Sequence, residues 1–452
     1  MALDTWFYRE IGLRCIDYAR KTRTVSELKK LRETEYASSA ELRQLQFDRL
    51  KALLRHCRDN VRFYRERFHA CGFNPDTMES FSDLQVIPVL TKDDIRANFD
   101  AMKASDFSSF RPRIKETGGS TGQPLKLYHD EWSHSMMWAN IYRGFGHAGY
   151  MPGDRYLTIA SGSLLPKKLK RGFKLYFALQ NSIVYPSYHL DERMATELRE
   201  LIVARRPLFI YGYSSTLVQF ARSLAAQNLT VDGLKAVFTT ADMLYPHQRQ
   251  LIESSLRAPV FDNYGCPEAG VMTWECTEHD GYHYNMESCF LETVDDNDKG
   301  AGRLISTNLA NWAFPIVRYD TGDIGKIEDT GQCRCGRSHD KVRSLLGRQR
   351  DIITLPSGRM LHGAFFNHLK YFYDDERILR FQIIQPQSDT VEVHLELVAG
   401  CVIDDFAFIS QELQALLDYE VVVSLIEGQF RESAVSRKHR VVISDVDNVW
   451  TG

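Results

Sequence analysis

Residues 207–262 read PLFIYGYSSTLVQFARSLAAQNLTVDGLKAVFTTADMLYPHQRQLIESSLRAPVFD, and this stretch decides the fold. Pro207 ends a helical pattern in which Asp191 is the N-cap and Met194, Leu198, Leu201 and Ile202 share a face. The apolar run LFIYGY then reads as a strand, residues 214–227 as a helix and KAVFTT (235–240) as a strand. Pro246–Leu256 reads as a helix with proline in its first turn, and PVFD (259–262) as a further strand. Short apolar strands alternating with helices imply a parallel sheet covered on both faces, the α/β class.

Upstream, Leu42, Leu45, Phe47, Leu50, Leu53 and Leu54 recur at spacings of three and four within residues 24–68, a helical lead-in. Downstream of residue 352 the texture changes to period-2 strands at 378–385 and 391–398, a helix near 405–417 and a strand at 420–426. The expected organisation is a large α/β domain over 1–346, a hinge at 347–351 and a small α+β lid over 352–452.

The 452 residues carry 56 basic and 59 acidic side chains, a net charge of -3 that offers no basic face for nucleic acid. No run of 18 apolar residues marks a membrane span, and the charged N-terminus lacks a signal-peptide core, so a cytoplasmic protein is expected. Nine scattered cysteines fit reduced thiols or a metal site better than a disulfide framework.

Three motifs carry chemistry. Thr117, Gly118, Gly119, Ser120, Thr121 and Gly122 pack three glycines and three hydroxyls into six positions, suited to cradling phosphates with backbone N–H groups. Gly118, Ser120 and Gly122 also spell the G-x-S-x-G of a serine-hydrolase elbow, but that serine needs a helix after it. Here Leu125–Tyr128 alternates as a strand, which argues against the elbow. At the end of the 259–262 strand stands Asp262, Asn263, Tyr264, Gly265, Cys266, Pro267, Glu268, where open α/β sheets bind ligands. An aromatic there can stack a base, and a carboxylate can take Mg²⁺. Arg318, Tyr319, Asp320, Thr321, Gly322 and Asp323 bring carboxylates suited to ribose hydroxyls.

The order of these segments resembles the phenylacetate-CoA ligase and CapK branch of the adenylate-forming enzymes. The resemblance runs through DNVRFYRERF (59–68), TGGSTGQP (117–124), PGDRYL (152–157), IYGYSS (210–215), TTADML (239–244) and DNYGCPE (262–268). It continues through STNLANWAFPIVRYDTGD (306–323), GRQRD (347–351) and KHRVVIS (438–444). It implies attack of a carboxylate on the α-phosphate of ATP, release of pyrophosphate, and transfer of the acyl group from AMP to a nucleophile. On this reading the 117–122 loop holds the β- and γ-phosphates, and Asn263, Tyr264 and Gly265 form the adenine site. Asp323 and Arg348 take the ribose, Glu268 binds Mg²⁺ and acts in catalysis, and Lys438 meets the carboxylate and α-phosphate. Arg437 is the alternative if the register slips by one. Tyr211, Tyr213, Ser214, Ala241 and Asp242, with Trp138, border the acyl pocket.

The resemblance leaves the acceptor open: the thiol of CoA, or an amine or sugar on the CapK side with its polysaccharide gene clusters. A homodimer is also open. Ala241 and Asp242 replace the usual glycine and acidic pair, and Arg350 stands where a hinge acid or lysine is usual. A non-catalytic nucleotide-binding protein is the remaining alternative. Finally, Cys276-x-x-His279 followed by Cys333 and Cys335 supplies three thiols and an imidazole, a closed tetrahedral set for structural Zn²⁺, with His283 as the substitute for His279.

Overall fold

The computed structural model describes residues 2–116, 125–160, 171–186, 192–295, 301–329, 331–348, 351–362, 366, 369, 372, 375, 377–431 and 441–446. The phosphate-loop candidates Thr117 to Gly122, Asp191, Arg350, Arg437 and Lys438 lie outside these residues.

The alternation in 207–262 folds as read. Five parallel strands lie in the order Ser182–Pro186, Tyr156–Ala160, Phe209–Tyr213, Ala236–Thr240, Val260–Asp262. Phe209–Tyr213 and Ala236–Thr240 are buried at every position because helices cover both faces. The period-2 geometry sorts their side chains. Ile210, Val237 and Val260 join Leu198, Leu217, Phe220 and Ile252 of the helices Glu192–Arg205, Ser214–Ala226 and Pro246–Leu256. Phe209, Tyr211, Phe238 and Phe261 turn the other way, onto Met136, Tyr142 and Phe145 of the helix Glu131–Gly146. The Phe145 and Phe238 rings stack at 4.2 Å, so this second face is the aromatic one.

A seven-stranded antiparallel sheet follows, in the order Cys289–Val294, Gly302–Asn308, Tyr319–Glu328, Lys341–Arg348, Tyr282–Tyr284, Val271–Trp274, Gly265–Cys266. Sequence periodicity misses it, because strands such as Val271–Trp274 are buried on both faces and show no alternation. The lead-in helices, among them Ser39–Asn60 with its Ser38/Glu41 capping box, pack Leu50, Leu53 and Leu54 against this sheet. The chain leaves the last parallel strand at Asp262 and enters the antiparallel sheet at Gly265, so the two sheets meet at Asn263 and Tyr264.

Beyond residue 352 a four-stranded mixed sheet runs Val422–Glu427, Thr390–Leu397, Ile378–Gln387, Val442–Ser444, with the helix Ala407–Leu416 against it. Its core, from Ile353 to Val442, is drawn wholly from this part of the chain. Gly347 and Arg348, expected in the hinge, form the end of the strand Lys341–Arg348. The glycine-rich loop is flanked by a hairpin in which Glu116 pairs with Lys126, so strand, not helix, follows it. That is not the context of a hydrolase elbow.

Candidate nucleotide site and metal cluster

The meeting point of the two sheets is held by side chains as well as by the chain's path. Thr240 Oγ1 donates to Asn263 Oδ1 at 2.8 Å, and Asn263 Nδ2 donates to the Thr273 carbonyl. Tyr264 N donates to Thr273 Oγ1 at 3.2 Å, and Thr273 N returns to the Tyr264 carbonyl at 2.9 Å. Asn263 is thus a buried strut, while Gly265 is exposed beside it.

Tyr264 is buried, and its hydroxyl donates to Asp323 Oδ2 at 3.0 Å. Asp323 faces Arg348 across the sheet, with Arg348 Nε 3.4 Å from Asp323 Oδ1. Burial pushes the Asp323 carboxyl up, and the Arg348 guanidinium opposes this. The Arg348 guanidinium is raised in turn by Asp323. Three residues from distant segments therefore form one unit: a phenol, a carboxylate and a guanidinium, 84 positions apart at the extremes (348 − 264).

Glu268 is half-buried on the one-turn helix Pro267–Ala269. The turn ends at Gly270 with φ +76, where a Cβ would fall 2.6 Å from Asn308 Cγ, so both conformation and space require glycine. Ser306 Oγ donates to the Ala269 carbonyl at 2.8 Å and pins the turn to the neighbouring strand. The charge of Glu268 reaches Asp323, Arg348, Cys266 and Tyr319.

The acyl-pocket candidates are only partly gathered. Ser214 Oγ donates to the Asp242 carbonyl at 3.0 Å, and Ser215 Oγ donates to Asp242 Oδ2 at 2.6 Å. Ala241 between them has φ 74, a left-handed conformation that costs a non-glycine residue about 1–3 kcal/mol and that survives the absence of glycine here. Tyr213 is buried at the end of its strand. Tyr211 is directed into the aromatic core, edge-on to Phe145 at 5.2 Å, and Trp138 lines a separate cavity with Leu13, Arg20, His134 and Tyr176.

The zinc candidates need one exchange. Cys276, His283, Cys333 and Cys335 offer ligand atoms that all lie within 4.8 Å of one another. Cys276 Sγ is 3.9 Å from Cys333 Sγ, and His283 Nε2 is 3.4 Å from Cys335 Sγ. His279, expected as the fourth member, is not in this group. Its φ of 49 places it in a left-handed turn, and its Nδ1 meets Glu275 Oε2 at 3.1 Å. His283 sits instead on the strand Tyr282–Tyr284, opposite Lys341, and that pairing delivers it to the thiols. Its Nδ1 lies 3.0 Å from the His339 carbonyl, which selects the tautomer whose Nε2 lone pair faces the sulfurs. Lys341 Nζ, 3.2 Å from Cys333 Sγ, supplies charge that three thiolates would need. The donor set and its outer hydrogen bonds fit a closed four-ligand site.

Sequence reasoning missed what joins the two sites. Glu275, next to Cys276, receives two hydrogen bonds from Arg249 Nη2 at 2.7 and 2.8 Å and one from Asp262 N at 2.9 Å. Tyr282, next to His283, donates to Asp262 Oδ2 at 2.8 Å. Burial, with the Glu275 charge beside it, pushes Asp262 up to about 7. Cys276 and His283 thus each have a chain neighbour bonded to Asp262, the residue just before the Asn263–Tyr264 loop. Only the adjacency of Glu275 to Cys276 hinted at this in the sequence.

No family model matches the chain. It is 26% identical over 385 residues to a phenylacetate-coenzyme A ligase of Pseudomonas putida, covering 81% of this chain and 84% of that one. It is 23% identical over 372 residues to Protein CapK of Staphylococcus aureus, covering 82% and 80%. Among solved structures, 2-hydroxyisobutyryl-CoA ligase in the postadenylation state in complex with 2-HIB-AMP superposes with a TM-score of 0.72 at 20% identity, covering 91% of each chain. By sequence and by fold, this chain is a homologue of the phenylacetate-coenzyme A ligases and of CapK, built on the fold of the adenylate-forming enzymes.

Proposed function

We propose that the protein is an ATP-dependent, AMP-forming carboxylate ligase that passes its acyl group to the thiol of CoA. The observation that carries this reading is the Tyr264–Asp323–Arg348 unit beside Glu268, where the parallel sheet hands over to the antiparallel one. A carboxylate oxygen of the substrate attacks the α-phosphorus of ATP, the bond to the bridging oxygen breaks, and pyrophosphate leaves. A thiol then attacks the acyl carbon of the mixed anhydride, and AMP leaves.

In this reaction Asp323, steadied by the Tyr264 hydroxyl and Arg348, accepts hydrogen bonds from the ribose hydroxyls. Glu268 holds Mg²⁺, which supplies charge neutralisation at the phosphate oxygens. The 117–122 segment cradles the β- and γ-phosphates, and Lys438 brings a point charge to the α-phosphate. The joint about which the small unit moves follows the strand end at Arg348, in the remainder of the expected 347–351 segment. No helix among the described residues is long and apolar enough to cross a membrane, and the cytoplasm is where ATP and CoA are at hand.

Pyrophosphate release with ATP and Mg²⁺ across aryl, fatty, amino and uronic acids, with and without CoA, tests the reading. Release that depends on one acid class, with CoA needed for sustained turnover, is the expected result. Labelling of Ser120 by a fluorophosphonate without ATP, or ATP binding without turnover on any acid, would overturn it. The similarity to CapK supports a second reading, an amide or ester ligase acting on an amino acid or sugar in surface polysaccharide synthesis. Turnover sustained by an amine or sugar in place of CoA would favour that one.

Cys276, His283, Cys333 and Cys335 hold a structural Zn²⁺, all four positions being filled by protein. Purified protein is expected to carry about one zinc per chain, with Cys335→Ser weakening metal affinity at least about tenfold. Metal analysis and a chelator titration followed by unfolding midpoint check this. Retention of His279→Ala at full zinc occupancy, and loss in His283→Ala, separates the two histidines.

A further inference from the structure

Tyr319 is fully buried, and its hydroxyl has no hydrogen-bond partner among the described residues. Buried hydroxyls without partners are costly, and one held at a candidate active site calls for a function. Its direction follows from the sheet. Tyr319 pairs with Ser306 across the antiparallel strands, and cross-strand partners project to the same face. On that face the Ser306 hydroxyl reaches the Ala269 carbonyl at 2.8 Å, immediately beside Glu268. The longer tyrosine shares a core with Ala269, Cys266 and Cys289, and among the charges around its hydroxyl that of Glu268 is the strongest, ahead of Asp320 and Arg348. The backbone gives it little freedom: Leu90 N donates to the Arg318 carbonyl at 2.8 Å, Asp320 N donates to the Leu90 carbonyl at 3.0 Å, and buried Arg318 bonds three carbonyls of the segment 84–87.

We propose that Tyr319 is a positioning residue for Glu268, its hydroxyl donating to the carboxylate oxygen that faces away from the cation once cation and nucleotide are bound. This rests on the adenylation reading of the site. The phenol stays protonated at neutral pH because burial and the neighbouring Glu268 charge both raise it, so it is a donor throughout. The carboxylate would then meet the cation in a fixed orientation, with the donor already in place before the phosphate charge develops. In the free protein the hydroxyl makes no hydrogen bond among the described residues, which separates this role from a structural one.

The test is Tyr319→Phe, measured as pyrophosphate release against Mg²⁺ concentration at saturating ATP and carboxylate. A hydrogen bond to a charged group predicts that kcat falls about ten- to a hundred-fold and that the apparent KM for Mg²⁺ rises. The KM for the carboxylate should hold, and the melting temperature should be unchanged or higher. On a Glu268→Gln background the same substitution should add little. Unchanged kcat and Mg²⁺ dependence, or a lowered melting temperature matching the activity loss, would overturn the proposal. Should the wild-type chain turn over no acid, the function reading fails but Tyr319 is still decided by calorimetry: Mn²⁺–ATP binding as tight in Tyr319→Phe as in wild type rejects it, and weaker binding upholds it.

Discussion

Glu268→Gln is expected to lower the rate of pyrophosphate release by about two to three orders of magnitude, the range measured when one preorganised electrostatic partner is removed from a reacting centre. The substitution keeps volume and shape, and the turn that carries the residue is held elsewhere, by Ser306 on the Ala269 carbonyl and by the left-handed Gly270. The fold should therefore survive, with an unchanged melting temperature. What is lost is a negative charge beside Asp323 and Arg348, and with it, on the proposed reading, the capture of Mg²⁺ at the phosphates. Raised Mg²⁺ should recover part of the rate. A variant that releases pyrophosphate at the wild-type rate would remove Glu268 from the reaction.

The largest expected effect on stability lies away from the nucleotide site. Arg143 donates to both oxygens of Glu287, at 2.6 and 3.1 Å, and both side chains are buried. Thr34 Oγ1 at 2.6 Å and His339 Nε2 at 3.1 Å complete the shell, so one carboxylate ties the lead-in helices to the helix Glu131–Gly146 and to the antiparallel sheet. Burial opposes ionisation of Glu287, but Arg143 and His339 overcome it and hold the carboxyl well below its usual value of 4.5. Burial keeps His339 itself neutral at physiological pH, so it acts as a hydrogen-bond donor. Arg143→Met leaves the carboxylate buried without its counter-charge and should destabilise by about 3–5 kcal/mol, read as a lower denaturant midpoint at unchanged slope. Arg143→Met with Glu287→Gln should recover much of that loss. Because the folded-state value lies below the unfolded one, the contribution of Glu287 is complete above about pH 4.5 and is lost only as pH falls through the lowered folded value. A destabilisation under 1 kcal/mol in the single variant would show that the pair is not the tie described here.

The parallel sheet was legible because its cause is local. Pro207, the apolar LFIYGY, Pro246 and the PVFD strand are punctuation and periodicity, each a short-range preference of the backbone. The structure returns Phe209–Tyr213, Ser214–Ala226, Ala236–Thr240, Pro246–Leu256 and Val260–Asp262 within a residue or two of that reading. The same holds for the strands and helix after residue 378, although residues 381–385 are buried at every position. The seven-stranded sheet was not legible, since strands such as Val271–Trp274 are covered on both sides and their pairing spans distant segments.

By itself the sequence marked the candidate side chains: Tyr264, Glu268, Asp323 and Arg348 stand out as motifs in order, and the three thiols as a candidate metal-ligand set. Tertiary structure decided which of them meet. His279 lies nearer to Cys276 in the chain than His283 does, yet cross-strand pairing with Lys341 carries His283 to the sulfurs while a left-handed turn sends His279 to Glu275. Likewise nothing in the order of residues places the Tyr319 hydroxyl, without a partner among the described residues, on the face that holds the Glu268 turn. Spacing along the chain sets only what can be near; register across a sheet sets what is, because one residue of pairing turns a side chain to the opposite face.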